Sequence, residues 1–390
     1  LFDQEVLMGA LVMTHIARFG LISAIALTSA MLPTGAVEAA DYKVLGTFDA
    51  STGPMPTWGL ADVNGVFYGV TPGARKTPNG TVVAIAAHHP ATLVTGFGGS
   101  GGPVEPSGPL LNSDGTLWGV SFKGGASGTG TIFTVTPSRS VTVVHSFGDG
   151  KDGYNPVGSL INVNGTFYGA AYGGDGGVVF SVTPDGTYTR LSHFILRHGG
   201  VAGPIGGLVS FRGRFYGIAA LGGINFQGGI YSVDLKGKSK TIYTFSGGAD
   251  GTASPGALTV LNGMLYGTTL NGGSAGLGNV FSLTTAGSYT NVYSFQGGTD
   301  GATPQFGVVA SGGVLYGTTS SGGGTGCGTG CGTVYSLTPG GAETVLYRFA
   351  GGKTDGATPS SALLAGGRYF YGVTSAGGRH DDGIAFQVGK

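Results

Sequence analysis

The sequence predicts an all-β fold, a seven-bladed β-propeller of four-stranded antiparallel blades whose last blade is closed by the N-terminal strand. Three observations predict it. First, an apolar–aromatic–glycine signature returns seven times: Phe67-Tyr68-Gly69, Leu117-Trp118-Gly119, Phe167-Tyr168-Gly169, Phe215-Tyr216-Gly217, Leu265-Tyr266-Gly267, Leu315-Tyr316-Gly317 and Phe370-Tyr371-Gly372. Its glycines lie 50, 50, 48, 50, 50 and 55 residues apart, a period that marks a repeat architecture. Second, each period holds four short runs of β-forming residues. Third, the last period lacks its fourth run and the N-terminus carries a spare one.

The four runs align in every period. Strand a follows a proline (Pro56, Pro106, Pro156, Pro204, Pro255, Pro304, Pro359), a residue tolerated where a strand needs no ladder donor. An aliphatic residue stands nine positions before each signature glycine: Leu60, Leu110, Leu160, Leu208, Leu258, Val308 and Leu363. Asn64-Gly65, Asp114-Gly115, Asn164-Gly165 and Asn262-Gly263 then supply tight hairpin turns. Strand b carries the signature, and strand c centres on Val83, Phe133, Phe180, Tyr231, Phe281, Tyr335 and Phe386. Strand d ends on Phe97, Phe147, Phe194, Phe245, Phe295 and Phe349. The seventh period stops after strand c. Val44 to Phe48 matches Val345 to Phe349 and is expected to complete it, since an open ring would leave strand edges unpaired. A linear β-solenoid is the alternative, but it gives no reason for a strand missing at one end and present at the other.

Composition agrees with a folded chain. Gly is 82 of 390 residues, yet hydrophobic residues reach 41%, so the glycines punctuate β-structure rather than a disordered tract. Lys plus Arg equals Asp plus Glu at 19 each, which leaves no electrostatic footprint for nucleic acid or an anionic membrane. Residues 1–40 differ in kind. Arg18, an apolar run from Phe19 to Leu32 and the small-residue stretch ending Ala39-Ala40 follow the order of a cleavable secretory signal. Met8 or Met13 is then a candidate start, and an uncleaved anchor is the alternative. The expectation is a signal and leader over 1–40, a single propeller over 41–390, no stable membrane span after signal removal, and a secreted, periplasmic or cell-surface location.

Strand polarity puts the b–c loops and d–a connections on one face, and these are the longer ones. Loops on a rigid scaffold commonly carry binding residues, so this face is the candidate functional face. Four d–a connections hold Asp-Gly pairs at Asp152, Asp250, Asp300 and Asp355, which can ligate hard ions or sugar hydroxyls, or can cap their own turns. The b–c loop of blade seven reads Arg379-His380-Asp381-Asp382, the densest polar cluster of the mature chain. These eight residues are the ligand-binding candidates. His145 and His193 fall on strand d, which is expected to be outermost and wet. The sequence points to no catalytic residue, metal site or cofactor: no Ser-His-Asp order, zinc spacing or paired acids can be defended. The signature aromatics are expected to pack between blades.

From signature glycine to the strand-c centre is 18 residues in blade six, against 14 in five blades. The excess comes from Gly-Cys-Gly-Thr occurring twice. In an exported protein a Cys327–Cys331 disulfide is expected to pin that loop, worth about 2 kcal/mol by loop entropy. A neutral duplication with free thiols is the alternative.

The repeat in its fullest form, Leu-Tyr-Gly-Thr-Thr … Gly-Thr-Val-Tyr-Ser-Leu-Thr-Pro … Val-Leu-Tyr-Arg-Phe … Asp-Gly-Ala-Thr-Pro between 304 and 359, resembles the GloVer-type tandem repeat of bacterial choice-of-anchor proteins. The resemblance implies export and carries over no catalytic residue. Two functions are open at this point. One is a monomeric, non-catalytic binding scaffold for an extracellular glycan or protein. The other is an extracellular hydrolase or lyase acting on polysaccharide or ester, with several of Asp152, Asp250, Asp300, Asp355, His380 and Asp382 converging at the channel mouth.

Overall fold

The computed structural model describes residues 41–390 except 74–75, 87–88, 197–198 and 325. The leader expected at 1–40 lies outside the described residues, as do His88 and His198. All regular structure described is β, arranged as seven antiparallel sheets. Blade one runs Thr57–Val63, Val66–Thr71, Thr81–Ile85 and Thr92–Gly96. Blade three runs Tyr154–Val163, Thr166–Gly173, Val178–Val182 and Tyr188–His193, and blade four Val201–Phe211, Arg214–Gly222, Gly229–Asp234 and Ser239–Thr244. Blades five and six begin with short inner strands at Thr259–Leu261 and Val308–Ser311. In blades two and seven strand a is broken, into Pro103–Pro106 with Leu111–Ser113 and Gly356–Pro359 with Leu364–Gly366.

The closure is present. Lys43–Thr47 pairs antiparallel with Ile384–Gly389, Lys43 opposite Gln387 and Thr47 opposite Ile384. No helix among the described residues is long and apolar enough to cross a membrane.

The signature glycine is glycine because two side chains lie over it. A Cβ on Gly169 would stand 2.6 Å from Phe180 and 2.7 Å from Leu160; on Gly267, 2.6 Å from Phe281 and 2.9 Å from Leu258. The strand-c ring and the strand-a leucine therefore meet across strand b, where only hydrogen leaves them room. Blade one has Val83 in place of the ring, and there the contact relaxes to 4.0 Å. The signature aromatic faces the next blade. Trp118 stacks on Phe167 at 3.8 Å, Tyr168 packs on Phe215 at 4.4 Å, and Tyr371 meets Phe67 across the closure at 4.3 Å. Each of the seven hydrophobic clusters is made by two successive blades, so the core is a closed set of seams.

Backbone bonds fasten those seams. The residue before the strand-a proline, or in blade five the residue at that register, donates its amide to the carbonyl just ahead of strand c in the preceding blade. The seven donors are Met55, Glu105, Asn155, Gly203, Ala253, Thr303 and Thr358, at 2.6–3.1 Å. The glycine following each of those carbonyls accepts the amide of its own blade's strand-d phenylalanine, from Phe48 to Phe349, at 2.8–3.1 Å. These phenylalanines lie one residue beyond strand d instead of ending it, because the amide has left the ladder for this loop. In six seams the proline ring covers the same glycine, 2.4–2.8 Å from where a Cβ would be.

Blade five corrects the sequence reading. Pro255 is one residue out of register: Ala253 and Ser254 occupy the clamp positions and Pro255 faces the central channel.

Deleting residues 41–49 removes the closing strand and the Phe48 amide together. The truncated chain is expected to lose its single cooperative melt or to aggregate. An unchanged melting curve, read by circular dichroism against the parent, would refute closure by this strand.

Candidate functional site

The four Asp-Gly aspartates occupy equivalent places in four different seams, and each is spent locally. Asp152 accepts from the Gly148 amide at 3.1 Å and the Asp149 amide at 3.2 Å, and pairs with His145 Nε2 at 3.1 Å. Asp250 accepts from the Ser246 amide at 2.9 Å and the Tyr243 hydroxyl at 2.8 Å. Asp300 takes the Gln296 amide at 2.6 Å and the Tyr293 hydroxyl at 2.9 Å. Asp355 takes the Ala350 amide at 2.6 Å and the hydroxyls of Tyr42 and Tyr347, at 2.5 and 3.1 Å. Each carboxylate thus caps the turn that leaves strand d and anchors an aromatic two residues before the strand-d phenylalanine. Burial opposes ionisation of Asp250, but the Ser246 and Tyr243 hydrogen bonds outweigh it and hold its carboxyl below the usual range.

The anchored aromatic in turn stacks on a ring from the next blade. Tyr347 stacks on Tyr42 at 3.6 Å, Tyr243 on Tyr289 at 4.8 Å, and His145 on Tyr188 at 4.2 Å. His145 is therefore not a wet strand-d residue. Its side chain keeps 19% of its surface and fills the place that tyrosine fills elsewhere. Burial, and then the Asp355 carboxylate beside it, push the Tyr42 phenol far above its ordinary range, so it stays a donor.

The loop tip of blade seven divides. Asp381 has φ 61° and accepts the Gly377 amide at 2.7 Å, while the Asp382 carbonyl takes the Met55 amide at 2.9 Å and so belongs to the clamp. Arg379 and His380 are exposed. Cys327 and Cys331 are joined by a disulfide. Since the Cys331 carbonyl takes the Thr358 amide, the bridge pins the clamp between blades six and seven.

The central channel offers little room. The small residues ahead of the strand-a leucines, among them Gly59, Pro109, Ser159, Gly207 and Ala257, close it to about 50 Å³. Among the described residues, no three of His, Cys, Asp and Glu come together as a metal-holding group.

Sequence reasoning missed two places. In the seam between blades five and six, Glu343 stands where Tyr188 and Tyr289 stand in theirs, opposite Leu337 as they face Val182 and Leu283. Its Oε1 and the Tyr335 hydroxyl are buried without a hydrogen-bond partner. Burial, then the Asp300 carboxylate, raise the Glu343 carboxyl to about 7, against the Arg348 charge. Alignment on the repeat could have found it as an acid among tyrosines. The second place is apolar: Ile195, Leu196, Leu221, Ile224 and Phe226 are exposed on the connection into blade four, at the end of its strand b and on its b–c loop, Ile224 and Phe226 at 74% each. The two segments adjoin, since a Cβ on Gly222 would stand 2.9 Å from Leu196 Cδ1.

The profile of the Gloeobacter/Verrucomicrobia repeat matches residues 34–200 and 173–386. The chain belongs to this repeat family. Among solved structures the repeat chain is similar to a putative 6-phosphogluconolactonase from Bacteroides fragilis, with TM-score 0.51 and 15% identity over 84% of this chain and 98% of that one. Puromycin hydrolase gives 0.52 and 14% over 86% and 53%. The AfRom2 CNH domain gives 0.51 and 8% over 90% and 99%. At such identities the likeness is one of fold alone. No curated protein sequence matches the chain.

Glu343 makes stability depend on pH. Its folded value, about 7, lies above the unfolded value of about 4.3, so its contribution is fully present below about pH 4 and is lost as pH rises through about 7. Asp300, Arg348, Tyr293 and Tyr335 face it, and only Asp300 among them adds negative charge in that range. Glu343→Gln is expected to raise the melting temperature by a few degrees at about pH 8 relative to the parent. At about pH 4 the two should coincide. Equal differences at both pH values would contradict a buried, proton-holding Glu343.

Proposed function

We propose that this repeat protein is an exported, non-catalytic scaffold that binds an extracellular partner on its long-loop face. Of the two partner classes the sequence allows, glycan and protein, the geometry favours protein. The observation that carries this is the exposed apolar group Ile195, Leu196, Leu221, Ile224 and Phe226 on adjoining segments of that face. Four of the five tips are aliphatic and suit the dry centre of a protein interface; sugars are held by aromatic platforms edged with hydrogen-bonding side chains, and Phe226 is the one ring here. The acids that could have served an enzyme are engaged in turn caps in separate seams, and the cavity at the strand-a residues measures only about 50 Å³.

The test immobilises the full chain and titrates fractionated envelope proteins and a glycan array in parallel with ester, lactone and polysaccharide turnover assays. Saturable binding to a protein fraction is expected, weakened at least tenfold by Ile224→Ser with Phe226→Ser, at an unchanged melting temperature. Silence towards all envelope proteins, or turnover of any substrate, would overturn the reading.

A further inference from the structure

The seam between blades three and four lacks what fills its neighbours. Three seams share one inventory: an aromatic two residues before the strand-d phenylalanine, a ring from the next blade stacked on it, and an aspartate accepting the first amide beyond that phenylalanine. In the seam between blades four and five these are Tyr243, Tyr289 and Asp250. Between six and seven they are Tyr347, Tyr42 and Asp355, and between two and three His145, Tyr188 and Asp152.

Register identifies the same positions between blades three and four. Ser192 pairs with Val179 as Tyr243 pairs with Ile230, and Ser239 pairs with Val233 as Tyr289 pairs with Leu283. Both rings are therefore serines. The connection from Ile195 to Gly203 contains no acidic residue, so the aspartate is missing too.

The consequence is a cleft of about 320 Å³, within the range of small-ligand sites. Phe194 and Tyr231, buried rings that meet edge-on at 4.6 Å, form its aromatic floor. Ser239 and Thr241 present hydroxyl-bearing side chains, Lys240 and His193 add nitrogen groups, the latter in contact with the Gly174 carbonyl at 3.1 Å, and Ile195, Gly200 and Val201 complete the described lining.

The other two ringless seams are closed by different means. Between blades seven and one, Gly46 replaces the first aromatic and lets the backbone approach, for a Cβ there would lie 2.7 Å from the His89 carbonyl oxygen. Between blades one and two, Val94 and Val141 pack into the gap. Between blades three and four Leu191 holds the Val94 position, but Ser239 stands where Val141 does, so among the described residues no second aliphatic side chain completes the pair.

We infer that this cleft binds a small aromatic carboxylate, whose ring takes the place of the missing tyrosine and whose carboxylate takes the place of the missing aspartate. The ring would lie against Phe194 and Tyr231, an arrangement aromatic pairs favour. The carboxylate would accept the Ile195 amide, the counterpart of the Ser246 and Ala350 amides that Asp250 and Asp355 take, with the Lys240 ammonium near it in compensation. The cleft shares Ile195 with the apolar patch but uses only its amide, and neither Ile224 nor Phe226 lines it, so loss of partner binding in the Ile224→Ser, Phe226→Ser chain and loss of this ligand are separable.

Calorimetric titration of the purified full chain with phenylpropanoate tests it, with phenylpropanol (ring without charge) and hexanoate (charge without ring) in parallel. Phenylpropanoate is expected to bind saturably with a Kd of about 1 mM or tighter, and the other two at least tenfold more weakly. Lys240→Gln should weaken binding severalfold. Ser239→Tyr restores the ring found in the sister seams and should abolish binding while raising the melting temperature. Ser192→Tyr restores the other ring of the sister seams from a buried position beside His193 and Phe194 of the lining, with the same expected loss. Absence of phenylpropanoate binding, equal binding of hexanoate, or undiminished binding in folded Ser239→Tyr and Ser192→Tyr chains would overturn the proposal.

Discussion

One backbone hydrogen bond, made seven times, sets the form of this molecule: the amide ahead of each strand-a proline to the carbonyl ahead of the neighbouring strand c. Its demands explain several sequence features together. Met55, Glu105, Asn155, Thr303 and Thr358 adopt φ of 51–59°, which costs each of these residues about 1 kcal/mol or more. That conformation aims the amide at the preceding blade while the following proline turns the chain onto its own. The glycine after the acceptor carbonyl serves two neighbours, its own blade's phenylalanine amide and the next blade's proline ring. A net gain of about 1 kcal/mol per bond would be modest singly. Repeated round a closed ring and backed by a hydrophobic cluster at every seam, these bonds couple each blade to both neighbours.

That coupling alters where function should be sought. The b–c loops are the long and glycine-rich ones, and loop length alone suggested a free binding surface. Much of their backbone is committed to the clamp, and even the polar tip of blade seven gives its Asp382 carbonyl to Met55. What differs between blades is carried instead by side chains at the seams. Tyrosine pairs, a histidine–tyrosine pair, a tyrosine beside an acid, and a serine pair stand at equivalent positions. The serine pair leaves space, and the acid leaves a buried carboxyl oxygen without a hydrogen-bond partner.

The fold was legible because its rules are local in sequence. The signature glycine, the leucine nine residues earlier and the ring after it form one contact across three successive strands, so their spacing repeats faithfully. The closing strand could be read because Val44 to Phe48 copies Val345 to Phe349. The seam contents were far less legible. Strand d is outermost in a single blade, which makes His145 look wet in the sequence, yet Tyr188 of the following blade covers it. Pro255 looked like every other strand-a proline until the clamp showed Ala253 and Ser254 in its place. Glu343, Ser192 and Ser239 carry no motif. Their meaning comes only from the residue that faces them some fifty positions away, and pairing across a seam follows from register that the bulge in the strand c–d ladder shifts by one.

Amide hydrogen exchange tests the clamp most directly. Met55 has an exposed side chain and lies outside regular strands, so exposure alone would make its amide exchange quickly. The account predicts that the amides of Met55, Glu105, Asn155, Gly203, Ala253, Thr303 and Thr358 exchange slowly and as one cooperative set with those of the strand c centres. Fast exchange at these seven amides while the strands stay protected would show that the blades are held by side-chain packing alone, and would contradict it.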